Sequence, residues 1–397
     1  MENPQQLIRS WALQGSFANG AVSQDKLVPR EFTRIRTPFV NTWRQEQLSS
    51  TFDWGANSFS WHLPESLRVI SSMFLRIELP AIATGQYKDI PGLYVLDQIR
   101  FLSQGSESYK VQPQLYLRDY IESLTDEEAD RFCRTFLGYE ADGGTQSART
   151  LMIPLLLPNS AYFFRNGKDS RGHGVFPAYL GTNRLEIQFT VNPSAFVVKS
   201  GAQNPDPITN QCQIMIHQCE MTPRDMERYS DSRGAYSVVT RRFTEITDGW
   251  TPVSAGVAHK INQAQPIGNV TELKVIACPT GTSVAHREYN NLVQATKIQI
   301  TSDSVVQKSL DTKEKVALEL WQNGFIGNKL ANSPSRLCFA AHCAEAENLY
   351  SGGYNMAHSS NITVETKFGE DVQMRIFAVQ LQRIVIDADG NLISSLD

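Results

Sequence analysis

The chain has 397 residues, 41% of them hydrophobic and 20% charged, enough to build the cores of two ordinary domains or one large one. Its formal net charge of -4 argues against a protein that coats DNA or RNA directly, since that binding depends on a basic surface releasing counterions. No stretch approaches the roughly 18 apolar residues of a spanning helix, and the opening MENPQQLIRSWALQ lacks the basic-then-apolar order of a secretory signal.

Residues 1–36 are polar, with scattered apolar anchors at Leu7, Ile8, Trp11, Leu13 and Phe17 and a slight basic excess that includes Arg9. They read as an arm that orders against a neighbour or a membrane surface, or as a plain terminus. From residue 57 the pattern is β. SFSWHLP (58–64) alternates with period two, and 67–82, 151–158, 184–192 and 211–222 read as strands. The stretch 97–112 reads as a hairpin turning at Gln104-Gly105. Pro113 suits the first position of a helix, and Thr125 with Glu128 predicts a capping box opening a second helix over 125–137.

A second set follows. Extended segments are expected at 270–278, 295–303, 336–343, 361–368 and 372–386, with a helix over 311–324 capped by Asp311. Between the sets, 223–254 joins the halves: a short helix is expected from Thr222-Pro223, then a crossing strand at 233–243. The resulting division is 1–54 arm and lead-in, 55–225 first domain, 226–244 linker and 245–397 second domain. Both sets run in one order, and the pairs Ile99/Ile298, Phe101/Ile300, Val111/Leu310, Leu117/Val316 and Ile121/Leu320 share a single offset. A duplicated domain explains both facts, with the helices at 125–137 and 311–323 expected as counterparts.

Chemistry finds little support. No phosphate loop, GxGxxG, HExxH or GxSxG motif is present. His217 with Cys219, and Cys338 with His342 and Cys343, are the densest metal-type groups, but they fall inside apolar strands instead of ligand-bearing turns. The six cysteines (with Cys133, Cys212 and Cys278) read as unpaired core thiols, metal-free. The acids Asp126, Glu127, Glu128 and Asp130 are explained by helix capping, and the polar loop 165–174 reads as a surface turn. No catalytic residue, metal or cofactor is expected.

The segment LMIPLLLPNSAYFFRNGKDSRGHGVFPAYLGTNRLEIQFTVNP (151–193) carries a specific likeness. Ile153-Pro154-Leu155-Leu156, the turn 165–174, Phe176-Pro177-Ala178-Tyr179-Leu180 and Leu185-Glu186-Ile187 resemble the end of the first jelly roll in double jelly-roll major capsid proteins of tailless icosahedral DNA viruses. That lineage runs from membrane-containing bacteriophages to large eukaryotic DNA viruses. Phe176 stands where the family has leucine, and Tyr179 precedes Leu180. Ser351 to Met356 and RIFAVQLQRIVIDADG (375–390) resemble the family's late turn and closing strand, although the turn lacks the family's proline.

The resemblance implies an all-β fold of two consecutive eight-stranded jelly-roll β-sandwiches with short inserted helices. It implies a structural protein of the virion, made in the host cytoplasm. Such proteins form homotrimers, pseudo-hexagonal capsomers that tile an icosahedral shell. The partners implied are other copies and neighbouring capsomers, penton and minor capsid proteins, and an internal membrane where one exists; direct nucleic-acid binding is not expected. The arm residues Leu7, Ile8, Arg9, Trp11, Leu13 and Phe17 are the candidates for assembly or membrane contact. Two rival readings remain. One is a carbohydrate-binding or carbohydrate-active β-sandwich, for which Glu78, Glu186 and Glu365 are scattered candidate carboxylates. The other is a minor virion spike or vertex protein.

Overall fold

A computed structural model describes residues 39–48, 52–55, 59–63, 69–140, 146–157, 185–206, 212–221, 236–263, 267–281, 283–325, 327–339, 353–359, 361–386 and 391–396. The first eight strands are β1 (Phe39–Gln47), β2 (Phe59–His62), β3 (Val69–Leu79), β4 (Leu96–Ser103), β5 (Ser106–Val111), β6 (Arg149–Pro154), β7 (Leu185–Val191) and β8 (Gln213–Met221). They form two antiparallel four-stranded sheets, ordered β1-β8-β3-β6 and β2-β7-β4-β5. Each connection but one crosses between the sheets; the exception is the β4–β5 hairpin. That is the jelly-roll arrangement.

The second half repeats it with β9 (Tyr236–Glu245), β10 (Thr251–Val253), β11 (His259–Gln263), β12 (Asn269–Pro279), β13 (Ala295–Ser302), β14 (Val305–Leu310), β15 (Ser335–Cys338), β16 (Tyr354–Asn355), β17 (Ile362–Phe368), β18 (Val372–Ile386) and β19 (Leu392–Leu396). One sheet runs β10-β18-β12-β15, with β9 and β19 also on β18 and β16 on β12; the other runs β11-β17-β13-β14. The hairpin β13–β14 again stays within one sheet, and so do the added connections β9–β10, β15–β16 and β18–β19. Residues 226–244, expected as a linker, lie partly outside the described residues; from Tyr236 they are paired to β18 as β9.

The duplication extends to irregularities. The ladder shifts between Ile70 and Ser72 and between Val270 and Glu272, between Leu96 and Gln98 and between Ala295 and Lys297, and between Phe101 and Leu102 and between Ile300 and Thr301. A bulge bends its strand and raises its twist, so matched bulges shape the two sandwiches alike. Both hairpins turn through two residues of positive φ, Gln104 (51°) with Gly105 (79°), and Asp303 (48°) with Ser304 (70°). Such turns match the twist of the strands they join.

Three helices complete the described fold: α1 (Pro113–Ser123), α2 (Asp126–Phe136) and α3 (Lys313–Gln322). Pro113 opens α1, and Thr125 caps α2 through the reciprocal box with Glu128. The expected pairing of 125–137 with 311–323 is corrected here. The counterpart of α3 is α1, since each follows the second arm of its hairpin; among the described residues of the second half α2 has no helical equivalent. The cap of α3 is also corrected: Thr312 accepts the Lys315 N–H at 3.3 Å, while Asp311 takes the Lys315 ammonium at 2.6 Å.

Alternating residues fill each sandwich: Leu185, Ile187, Phe189 and Val191 point inward from β7, and Ile362, Val364 and Phe368 from β17. In β12 the alternation is lost, and every residue from Val270 to Cys278 is buried. A strand buried on both faces must have something packed outside its sheet, and here it is the first sandwich. Ile276, Cys278 and Phe377 belong to one apolar cluster with Leu115, Ile121 and Tyr94, across the junction.

Candidate functional site at the junction of the two sandwiches

Helix α1 lies over the outer face of the sheet containing β12 and β15. Arg118, Asp119 and Glu122, at i, i+1 and i+4, share one side of it; Arg118 and Glu122 are buried and the Asp119 side chain is 7% exposed. From the second sandwich come Glu272, Lys274 and Arg336, alongside one another because β12 and β15 pair Lys274 with Arg336. Arg336 bridges both halves. Its Nη1 donates to Glu272 Oε1 at 2.7 Å, and its Nη2 to Glu122 Oε2 at 2.9 Å and Asp119 Oδ1 at 3.0 Å. Lys274 Nζ donates to the same Asp119 oxygen. Arg118 Nη1 stands 3.8 Å from Glu122 Oε2, and the Ser333 hydroxyl lies 2.6 Å from Glu122 Oε1.

Three cations thus meet three carboxylates, with no side chain more than 7% exposed. Burial draws Arg336 down, but Glu122 and Glu272 outweigh it and raise its pKa. Lys274 is pushed well below the usual lysine value by burial and by neighbouring Arg336 and Arg118; Asp119 is the carboxylate it touches. Desolvating six charges offsets much of their mutual attraction, so the cluster adds little net stability. Removing one member, however, strands a buried charge at a cost of about 3–5 kcal/mol. Such a network penalises every other docking of the two sandwiches.

A second layer flanks it. The rings of Tyr94 and Tyr289 stack at 5.7 Å, the Tyr289 N–H donates to Tyr94 Oη at 2.9 Å, and Arg118 Nε donates to the Tyr289 carbonyl at 3.3 Å. Lys88 Nζ, 3.9 Å from the centre of the Tyr94 ring, donates to the carbonyls of Ala285 (2.7 Å) and Arg287 (2.8 Å). Burial lowers the Lys88 pKa to about 7, against the pull of Glu288. Asn328 Nδ2 donates to the carbonyls of Leu124 and Ile121 at the end of α1, the latter also accepting the Leu124 N–H at 3.1 Å. Phe243 of β9 meets Tyr116 edge-on at 4.8 Å. The two sandwiches are joined as one block.

Expected site residues fall elsewhere. Leu7, Ile8, Arg9, Trp11, Leu13 and Phe17 lie outside the described residues, as do the loop 165–174, His342 and Cys343, the helix expected from Thr222, and the side chain of Cys219. Cys133, Cys212, Cys278 and Cys338 are buried and free. Burial pushes the Cys133 and Cys212 thiols up to about 12 and that of Cys278 to about 11. His217 stacks on Trp43 at 4.7 Å. Among the described residues no three His, Cys, Asp or Glu side chains are placed to share a metal. Asp130 pairs with Arg134 at 2.7 Å, and Asp126 accepts the Lys329 N–H at 3.0 Å. Glu78, Glu186 and Glu365 stand on three different sheets, beside Arg76, Gln188 and Lys297.

The charged cluster was not anticipated from sequence. Its signal is Glu272 and Lys274 inside VTELKVIAC and Arg336 beside LCF, charges set in apolar strands without an exposed face to carry them.

The fold and its junction define a class, the fused double jelly roll, and the solved structures similar to it include capsid proteins of viruses. The chain is similar to the Faustovirus major capsid protein at a TM-score of 0.63 and 9% identity, over 97% of this chain and 98% of that one. It is similar to PBCV-1 VP54, fitted into a reconstruction of the virophage Sputnik, at 0.65 and 12%, covering 91% and 97%. The mavirus major capsid protein gives 0.58 and 11%, covering 96% and 94%. No family model and no curated protein matches the sequence. The shared property is the fold, end to end.

Proposed function

We propose that this protein is a major capsid protein, assembling as a homotrimer whose six sandwiches form a pseudo-hexagonal block of an icosahedral shell. The observation that carries the reading is the pairing of two complete jelly rolls by a buried, charge-specified junction, over the full length of solved capsid proteins. A shell tile has to hold its two halves at one angle, and the Arg336 cluster supplies that rigidity. No chemistry of its own is assigned to it. The division near residues 225–245, location in the virion and synthesis in the host cytoplasm belong to the same reading.

The arm, residues 1–36, is assigned contact with neighbouring capsomers or an underlying membrane through Leu7, Ile8, Arg9, Trp11, Leu13 and Phe17. Penton and minor capsid proteins are further partners of the protein. Native mass measurement of the purified full chain tests the reading: a trimer is expected, and a monomer at all concentrations would refute it.

A further inference from the structure

Duplication gives every junction residue a counterpart in the other sandwich. In both hairpins the same rung pairs, Ile99 with Val111 and Ile298 with Leu310. Counting on from there sets Leu117 and Ile121 of α1 against Val316 and Leu320 of α3, all four buried. It also sets Arg118, Asp119 and Glu122 against Ala317, Leu318 and Trp321. The first three line the junction, with side chains no more than 7% exposed. The second three are exposed, Leu318 by 50% and Trp321 by 67%.

The receiving sheet has counterparts too. After the matched bulges, Phe74 pairs with Met215 where Lys274 pairs with Phe377, and Phe74 pairs with Pro154 where Lys274 pairs with Arg336. At the sheet edge Trp43 pairs with His217 where Phe243 pairs with Val379. Phe243 packs on α1, whereas Trp43 is 56% exposed beside Phe74, which is itself stacked on Phe136 of α2. Trp43 and Trp321 are both exposed aromatic side chains.

Where α1 offers Asp119 and Glu122, the sheet answers with Lys274 and Arg336; where α3 offers Leu318 and Trp321, the first sandwich offers the exposed Trp43, while Phe74 and Pro154 are covered within the chain, Phe74 by Phe136 of α2. We infer that α3 of one copy docks through Ala317, Leu318 and Trp321 against the exposed Trp43 edge of the first sandwich of a second copy, next to the part of that sheet which α2 already covers. The contact is heterologous, so each copy gives α3 on one side and receives on the other, and closure makes a ring. An exposed tryptophan meeting an exposed aromatic edge is the kind of anchor that dominates an interface. The inference rests on the capsid reading for the number of copies and adds which surfaces meet.

Complementation of the full chain tests it. Trp321→Glu and Trp43→Glu should each weaken self-association by at least about thirty-fold, the factor that loss of an aromatic hot spot carries. Each should melt within a degree or two of the unaltered protein, because both side chains are exposed. Neither variant alone retains a working contact. An equimolar mixture retains one per pair, and should run as a two-chain complex that grows no further. Leu318→Asp serves as a second donor-side variant if Trp321→Glu does not fold. Trimers persisting in both variants, or monomers that stay apart on mixing, overturn the inference while leaving an assembling protein. A monomeric unaltered chain overturns the capsid reading itself, and the inference with it.

Discussion

Arg336 of the second sandwich donates to Glu122 of the first at 2.9 Å, with neither side chain more than 2% exposed. Water cannot substitute for either partner, so the pair acts only when the sandwiches dock in one way. Arg336→Met would leave Glu122, Asp119 and Glu272 without their shared cation, and should lower unfolding stability by about 3–5 kcal/mol. Urea denaturation measures it; a loss below about 1 kcal/mol would mean that the cluster does not bind the halves together.

Lys88 gives the junction a pH signature. Its folded pKa, lowered to about 7 by burial, lies below the unfolded value of 10.5, so between these limits the unfolded chain holds more protons. Stability contributed by this group therefore rises with pH from about 7 towards 10, at up to about 1.4 kcal/mol per unit. Below pH 7 the full desolvation penalty of the ammonium applies. Buried tyrosines and thiols titrate in the opposite sense, so the comparison is with Lys88→Met, whose stability should climb less steeply over that window. Parallel curves for the two proteins would exclude Lys88 as the source.

Ser304 occupies positive φ (70°) in the β13–β14 turn, where the matching β4–β5 turn has Gly105. A side chain in that conformation costs about 1 kcal/mol. Ser304→Gly should raise stability by about that amount, since the Asp-Gly pair it creates favours such turns. Thermal unfolding checks it, and a lower melting temperature would be the wrong sign.

Cys133, Cys212, Cys278 and Cys338 should not react with a disulfide reagent at pH 8 in the folded protein. They are buried, and burial raises all four thiols, so little thiolate exists. After denaturation all six cysteines should titrate. More than two reactive thiols in the native state, or fewer than six after unfolding, would contradict this.

Deleting residues 1–20 should leave a folded trimer with nearly unchanged melting temperature and impair shell formation. A truncated chain that assembles normally would reduce the arm to a tail, and one that fails to fold would make it part of a sandwich.

Much of the fold was legible in local sequence. The strand read at 372–386 is β18 residue for residue, the hairpin turns at Gln104-Gly105, and Thr125 forms its capping box. What escaped lacks a local signal. FVNTWRQEQ of β1 is polar and alternates weakly, and it is held by a nine-rung ladder to β8. The start signal at Thr125 points to α2 as the equivalent helix, whereas α1 begins at Pro113 behind Gln112, which makes no side-chain cap. The junction escaped for a related reason: Lys274 and Arg336 look like surface charges until a second sandwich covers them. Only the duplicated order, read across the whole chain, pointed towards that arrangement.

The central claim is that this chain builds a virus shell. Quantitative mass spectrometry of purified particles from cells producing the protein tests that most directly. The account predicts that this chain is the most abundant protein in the particle, by a wide margin over any vertex component. Its absence from particles, or its presence only at the level of a minor spike, would contradict the account.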